Sequence, residues 1–559
     1  MDFNRRHALG GGVALAAYSG ASASADVRHT GGGRAHARIL ETLRAYVEQH
    51  RADWGLPGMT LCVVDRDGFA GFVTAGWANR DSRAPVTDDH LFQVGSISKV
   101  FTALAAASVA QDGRLALDAK VKQLMPETPI AGGAEITLQH LLNHTSGLPA
   151  DPPLFPRGGL WTGFAPGTHW SYSNTGYQIA GMIAARADGR PLHECIEARV
   201  LRPLGMTQSV GAIRNADRAR YAQGYEPLYN DRAQLRPGPL APSSWVDFDT
   251  GAGCVAATAG DMALFLQFLL HLAEGRGGPV LSDSAAAAFL ANPADAPGWS
   301  RDAKYGNGLA RIEIEGRPYL HHTGGMVSFS SAMHVDVQAG VAAFASSNVS
   351  YGLSYRPRAI TLLACQLLRM VREGGPAPTP APTRPRVEHA ERFAGTYTAA
   401  NGESFELRAA SDRVIMRYRG RDSDTQPVAA TAFACSEPRF ALPGLIFDFE
   451  DQTVVRAWAH EVEFVRDPAR GYRPAPSPEL LALAGTYVSD DRWSGTVVVV
   501  ARDGKVWLNN SEPLTLLNDG AWRIGSEDWS PERATFDGVV GGRPTQMWLS
   551  GSLYTRRFG

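Results

Sequence analysis

The sequence predicts a multidomain chain: one mixed α/β or α+β domain followed by two small antiparallel β-modules. Three observations lead to this. A proline-rich segment, EGGPAPTPAPTRPR from Glu373, reads as an extended linker. Before it, helix-periodic apolar runs such as DMALFLQFLLHLAEG alternate with strand-like runs such as GMTLCVVDRDG and GVAAFASSNVS. After it come only short alternating runs, ESFELRAA, DRVIMRYRG, TVVVVARDG and KVWLNN, separated by Gly, Asp and Asn, which is an all-β texture.

The all-β part is an internal repeat. FAGTY ending at Tyr397 recurs as LAGTY ending at Tyr487, Trp458 as Trp548, Phe464 as Tyr554 and Arg466 as Arg556, each pair 90 residues apart. One register holding through the unit means two copies of one module. With a second proline-rich stretch, RPAPSP from Arg473, between them, the expected division is a first domain over 26–372, a linker over 373–388, a module over 389–470, a linker over 471–480 and a module over 481–559. Each module is expected to be a barrel or sandwich of roughly eight short strands.

The first 25 residues pair Arg5 and Arg6 with a short glycine-rich apolar run ending in Ala23-Ser24-Ala25. They look like a twin-arginine export signal cleaved before Asp26, so a periplasmic or secreted protein is expected. No run is long enough to cross a bilayer, so no stable membrane insertion is expected after signal removal. The formal charge is -2, or -3 without Asp2, Arg5 and Arg6, which argues against nucleic acid and favours a small-molecule or short peptide substrate. Five cysteines without paired spacing argue against a metal cluster or a disulfide scaffold and read as small buried hydrophobes. The oligomeric state is not encoded in any motif.

The chemistry starts at GSISK. Lys99 is one of only five lysines and lies one helical turn after Ser96, at the head of the apolar run Val100, Phe101, Leu104, Ala105, Val109. S-x-x-K alone arises by accident in about a third of such chains. At the N-terminus of a buried helix, however, backbone N–H groups favour a developing anion. A lysine whose pKa is lowered by burial could there take the serine's proton. The other reading of this stretch is Ser96 as an N-cap with Lys99 reaching solvent.

Two further stretches bear on that choice: Tyr172-Ser173-Asn174 just before another apolar helix, and His322-Thr323-Gly324-Gly325 between strand-like runs. In the order S-x-x-K, Y-x-N, H-x-G they resemble the penicillin-recognising serine hydrolases: class C β-lactamases, DD-peptidases, D-aminopeptidases and related esterases. DGRLALDAKVKQLMPE, ITLQHLLNHTSGLP, VLRPLGMTQS, GAGCVAATAGDMALFLQFLL and YGNGL extend the likeness from about Ile39 to about Leu368. The resemblance implies an antiparallel sheet flanked by helices plus an all-helical lobe, with neither metal nor cofactor. It implies Ser96 as the acyl-enzyme nucleophile, with Lys99 and Tyr172 sharing the proton work as base or acid. Asn174 would bond the substrate amide and help position Lys99. The oxyanion would sit between the N–H groups of Ser96 and Gly325, with His322, Thr323 and Gly324 completing the substrate-binding strand.

Two departures stand out. Where β-lactamases and DD-peptidases carry lysine in the third motif, this chain has His322, mostly neutral at pH 7, so recognition of a substrate carboxylate should weaken. Ser328 stands where relatives often place glycine, which bears on the shape of the strand beyond the oxyanion hole. His-x-Gly and two trailing β-modules resemble D-aminopeptidases, in which a loop of the last barrel enters the site and selects free amino termini. By that likeness GSEDWSPE, with Glu527 and Asp528, is the candidate gating loop. The expected function is a D-aminopeptidase-like serine hydrolase acting on small amides, peptides or esters. The alternatives are a β-lactamase or DD-carboxypeptidase, an esterase and, in another class, an inactive exported protein that binds peptide or glycan.

Overall fold

The computed structural model describes residues 25–229, 235–352, 355–509 and 511–557. Apart from Ala25, the export signal read from residues 1–25 lies outside them.

Antiparallel strands Asp26–Thr30, Ala70–Asn79, Gly58–Asp65, Val341–Ser347, Ser330–Asp336, Arg317–Gly325, Leu309–Ile314, Lys304–Gly306 and Ala294–Asp295 follow one another across the main sheet. The period-2 alternation of side chains sorts two cores. Leu61, Val63, Ala343 and Ala345 face helices Arg34–Trp54 and Arg358–Glu373, while Cys62, Val64 and Phe344 face the helical lobe and helix Ala259–Ala273. Helix Ser98–Gln111 runs through that lobe with every residue from Ser98 to Val109 buried, as its nearly unbroken apolar sequence requires. Its N-terminus abuts the Arg317–Gly325 strand, and this junction positions the site. All five cysteines are buried and free.

The proline-rich linker runs along the first helix, where Tyr46 donates to the Ala381 carbonyl at 2.8 Å. Beyond it, both β-modules are closed eight-stranded barrels, an architecture that leaves no unpaired sheet edge. The repeat is structural down to single hydrogen bonds. Tyr397 donates to the Phe393 carbonyl and Tyr487 to the Leu483 carbonyl, both at 2.8 Å. Arg466 donates to the carbonyls of Arg392 and Val454, and Arg556 to those of Ala482 and Pro544. The recurring Tyr and Arg residues thus make the same backbone contacts beside the closing strand pair of each barrel.

Candidate active site

Ser96 sits in the 3₁₀ turn Gly95–Ile97 immediately before helix Ser98–Gln111. Gly95 has φ +57°, and a Cβ there would lie 2.6 Å from the Gly325 nitrogen. Only glycine lets this turn lie against the strand. Ser331 Oγ locks the contact by donating to the Val94 carbonyl at 2.7 Å. Ser96 makes no capping hydrogen bond to either helix segment, so the N-cap reading fails. Its hydroxyl is engaged by Lys99 instead.

Lys99 is fully buried, and its three N–H donors meet three acceptors: Ser96 Oγ at 3.1 Å, Asn174 Oδ1 at 2.5 Å and the Ala252 carbonyl at 2.9 Å. Burial drives its pKa down to about 7, with Asp151 working in the opposite direction. Near neutrality roughly half of this amine is uncharged. In that form the Ser96 contact can carry the proton from hydroxyl to amine.

Tyr172 precedes helix Asn174–Asp188, whose N-cap Ser173 accepts from the Gly176 N–H at 3.0 Å. The Lys99 ammonium lies 4.8 Å from the Tyr172 ring centre. Burial raises the phenol's pKa, a hydrogen bond with Ser96 acts against that rise, and the group stays protonated at neutral pH. Asn174 bridges the lysine and a carboxylate, its Nδ2 donating to Asp151 Oδ1 at 2.7 Å. The structure thus brings Ser96, Lys99, Tyr172 and Asn174 together. Ser96 and Gly325 line one cleft of 700 Å³. Thr323 and Gly324 lie in the strand behind, paired with Ala332 and Ser331.

His322 is placed differently from its expected substrate-facing position. It has no exposed surface; its Nδ1 meets the Thr323 carbonyl at 2.7 Å and its Nε2 the Tyr305 hydroxyl at 2.9 Å. With Nδ1–H donating to the carbonyl, Nε2 accepts from Tyr305. Burial and the nearby Lys99 charge hold its pKa well below the usual value, so it is neutral, but it stands behind the cleft and does not line it. The cation beside Gly325 is Arg356, whose guanidinium fills the space a Cβ on Gly325 would take and donates to Ser330 Oγ at 3.2 Å. Ser328 is buried against Gly224 and lines a separate cavity of 620 Å³.

The second barrel forms the opposite wall of the cleft. Glu527 and Asp528 are exposed and do not line it, because Trp529 stacks on His169 at 4.6 Å and the Pro531 carbonyl accepts from Trp161 Nε1 at 2.8 Å, which turns residues 526–528 outward. The carboxylate that this loop delivers is Glu532, last residue of GSEDWSPE. It accepts from the Ala150 N–H at 2.6 Å and from Ser550 Oγ, and burial raises its pKa. Asp151 and Asp491 line the cleft with it, and no Lys or Arg does so among the described residues. His144 also escaped the sequence reading. It is fully buried, accepts from the Ser173 N–H at 3.0 Å and packs its ring 4.3 Å from that of Tyr172. Its only sequence signal was its place in NHTSGLP.

A serine hydroxyl bonded to a buried amine of lowered pKa, on this sheet-and-lobe fold, defines a serine hydrolase. Residues 43–368 match the beta-lactamase family, and the chain belongs to that family. It is 28% identical over 248 residues to a beta-lactamase of Pseudomonas fluorescens, covering 42% of this chain and 66% of that protein, just under two thirds. It is 28% identical over 393 residues to penicillin-binding protein 4 of Amycolatopsis lactamdurans, covering 66% of this chain and 98% of that one. In structure it resembles an octameric penicillin-binding protein homologue from Pyrococcus abyssi, with a TM-score of 0.54 and 22% identity over 76% of this chain and 99% of the other.

Proposed function

We propose that the protein is an exported, D-aminopeptidase-like hydrolase that forms an acyl-enzyme on Ser96 and cleaves small amides, peptides or esters bearing a free amino group. The observation that carries this is the fully buried Lys99, bonded to Ser96 at 3.1 Å with its pKa near 7. Neutral Lys99 takes the hydroxyl proton as Ser96 Oγ bonds to the substrate carbonyl carbon. The oxyanion is held by the N–H groups of Ser96 and Gly325, each worth about 3 kcal/mol. Tyr172, kept protonated, hands its proton to the departing amine or alkoxide as the C–N or C–O bond breaks, and Lys99 returns a proton to the phenolate. Water then attacks the acyl carbon as the neutral Lys99 amine takes one of its protons, and Lys99 passes that proton to Ser96 Oγ as the acyl C–O bond breaks, releasing the acid and the Ser96 hydroxyl. A substrate ammonium suits a cleft lined by Asp151, Asp491 and Glu532 and, among the described residues, by no Lys or Arg.

A panel of D- and L-alanine p-nitroanilides, p-nitrophenyl acetate and nitrocefin, with fluorophosphonate labelling of Ser96, tests the reading. Fastest turnover of the D-alanine anilide supports it; nitrocefin turned over faster than both anilides refutes it. The second reading, a β-lactamase or DD-carboxypeptidase, draws on Arg356, which restores beside Gly325 the positive charge that His322 does not supply.

A further inference from the structure

The two repeated barrels close alike but fill differently. In the first, Phe405 stacks on Tyr397 at 5.3 Å, and the fully buried Phe440 meets Phe405, Tyr418 and Phe464 at 5.2, 5.1 and 5.9 Å. Phe440 comes from the connection between strands Ala432–Cys435 and Leu445–Glu450, which folds back and stoppers its own barrel. The corresponding connection of the second barrel joins Trp522–Ile524 to Arg533–Val540 and swings the other way. Its aromatic, Trp529, stacks on His169 of the catalytic domain with the two rings only 9° from parallel. Opposite Tyr487, where the first barrel has Phe405 facing Tyr397, stands the smaller Val497.

The second barrel therefore has neither the stopper nor a ring at the position of Phe405, and the ring against Tyr487 is instead Phe536 at 5.9 Å. The consequence is visible at the cleft: Leu508, Ile524, Leu549 and Tyr554, which pack the interior of this barrel, line the same 700 Å³ space as Ser96. An eight-stranded barrel is wide enough to hold one small ligand when its own side chains do not fill it. Leu549 is partly exposed on this wall, beside the nearly buried Leu508, Ile524 and Tyr554, and a hydrocarbon that covers such apolar surface is stabilised there.

We propose that the open end of the second barrel is an apolar subsite of the active site, taking the hydrophobic side chain or acyl chain of the amide or ester whose carbonyl Ser96 attacks. This rests on the reading of Ser96 given above and adds the substrate class: a small amphiphile, with an ammonium for the cleft carboxylates and a hydrocarbon group for the barrel.

Binding is measured without turnover on full-length Ser96→Ala protein by calorimetry with ethylamine and hexylamine. Hexylamine should bind at least about tenfold more tightly, since each buried methylene is worth about 0.8 kcal/mol. Adding Ser552→Trp, which fills the mouth from the first residue of the last strand, should cut that advantage to under about threefold. In protein retaining Ser96, Ser552→Trp should lower kcat/KM on p-nitrophenyl octanoate at least about tenfold while p-nitrophenyl acetate stays within about twofold. Leu549→Trp repeats the test from inside the barrel, with thermal unfolding reporting whether the barrel persists. Equal affinity for the two amines, or a chain-length preference that both tryptophans leave intact, overturns the subsite. Hexylamine preference in a protein that turns over neither ester upholds the subsite and removes Ser96 as the nucleophile.

Discussion

Glu532, carried by the second barrel, accepts a hydrogen bond from the backbone N–H of Ala150 at 2.6 Å. The Ala150 carbonyl accepts from the Asn174 N–H at 2.7 Å. Asn174 in turn accepts from Lys99, and Lys99 bonds Ser96. Four contacts thus connect a barrel loop to the nucleophile. Glu532→Ala should lower kcat roughly tenfold, since orphaning a buried N–H costs ~1–3 kcal/mol. Glu532→Gln, whose amide oxygen can still accept, should restore most of it. Steady-state kinetics of the two variants measure this, and equal losses in both would assign the effect to the charge.

Lys99 sets the acid limb of the pH profile. With its pKa near 7, kcat/KM should rise with pH through about 7. His322, neutral throughout because its pKa is held well below 6.5, should add no limb of its own. Profiles of wild type and Tyr305→Phe, which removes the hydroxyl bonded to His322, should share that midpoint.

The same shift has a sign in stability. A lysine near 7 when folded and near ~10.4 when unfolded binds more protons in the unfolded chain between those values, so its contribution rises with pH across that window. Below about 7 it is charged in both states, and the cost of burying the ammonium is fully present. Lys99→Met removes this dependence. Its thermal midpoint relative to wild type should therefore be more favourable at pH 6 than at pH 9, with activity absent at both.

Ser96→Ala should abolish hydrolysis by at least about a thousandfold and leave the thermal midpoint nearly unchanged. The hydroxyl caps no helix and is one of three acceptors for Lys99. Residual activity above that level would exclude covalent catalysis at this serine.

Local spacing made part of this site readable. Ser96 and Lys99 are one turn apart on a helix that the apolar run announces, and the barrels were readable because Tyr397, Arg466 and their copies recur in register. Asp151, Arg356 and Glu532 were not readable as site residues, because each arrives from a separate loop and only tertiary packing sets their distance from Ser96. The burial of His322 likewise depends on Tyr305 and Thr323 occupying both ring nitrogens. GSEDWSPE borders the cleft through Glu532 and not through the two carboxylates read from it: nothing local in that stretch shows that Trp529 anchors on His169 and turns Glu527 and Asp528 away.

Removing everything after Tyr472 tests what the second barrel does for selectivity. Its contacts with the catalytic domain surround the cleft: Arg492 with Glu226, Trp493 on Phe248 at 5.1 Å, Trp529 on His169 at 4.6 Å and Glu532 on Ala150. Without them the wall opposite Ser96 is gone, and with it the carboxylates Asp491 and Glu532. An amino-blocked substrate, which lacks the ammonium that the proposed function requires, then has room to enter. The ratio of kcat/KM for N-acetyl-D-alanine p-nitroanilide to that for D-alanine p-nitroanilide should rise at least about tenfold, as expected when a charge-selective wall is lost. Turnover of both should fall by the factor seen in Glu532→Ala, because the truncation also frees the Ala150 N–H. A ratio unchanged by the truncation would show that selectivity resides wholly in the catalytic domain.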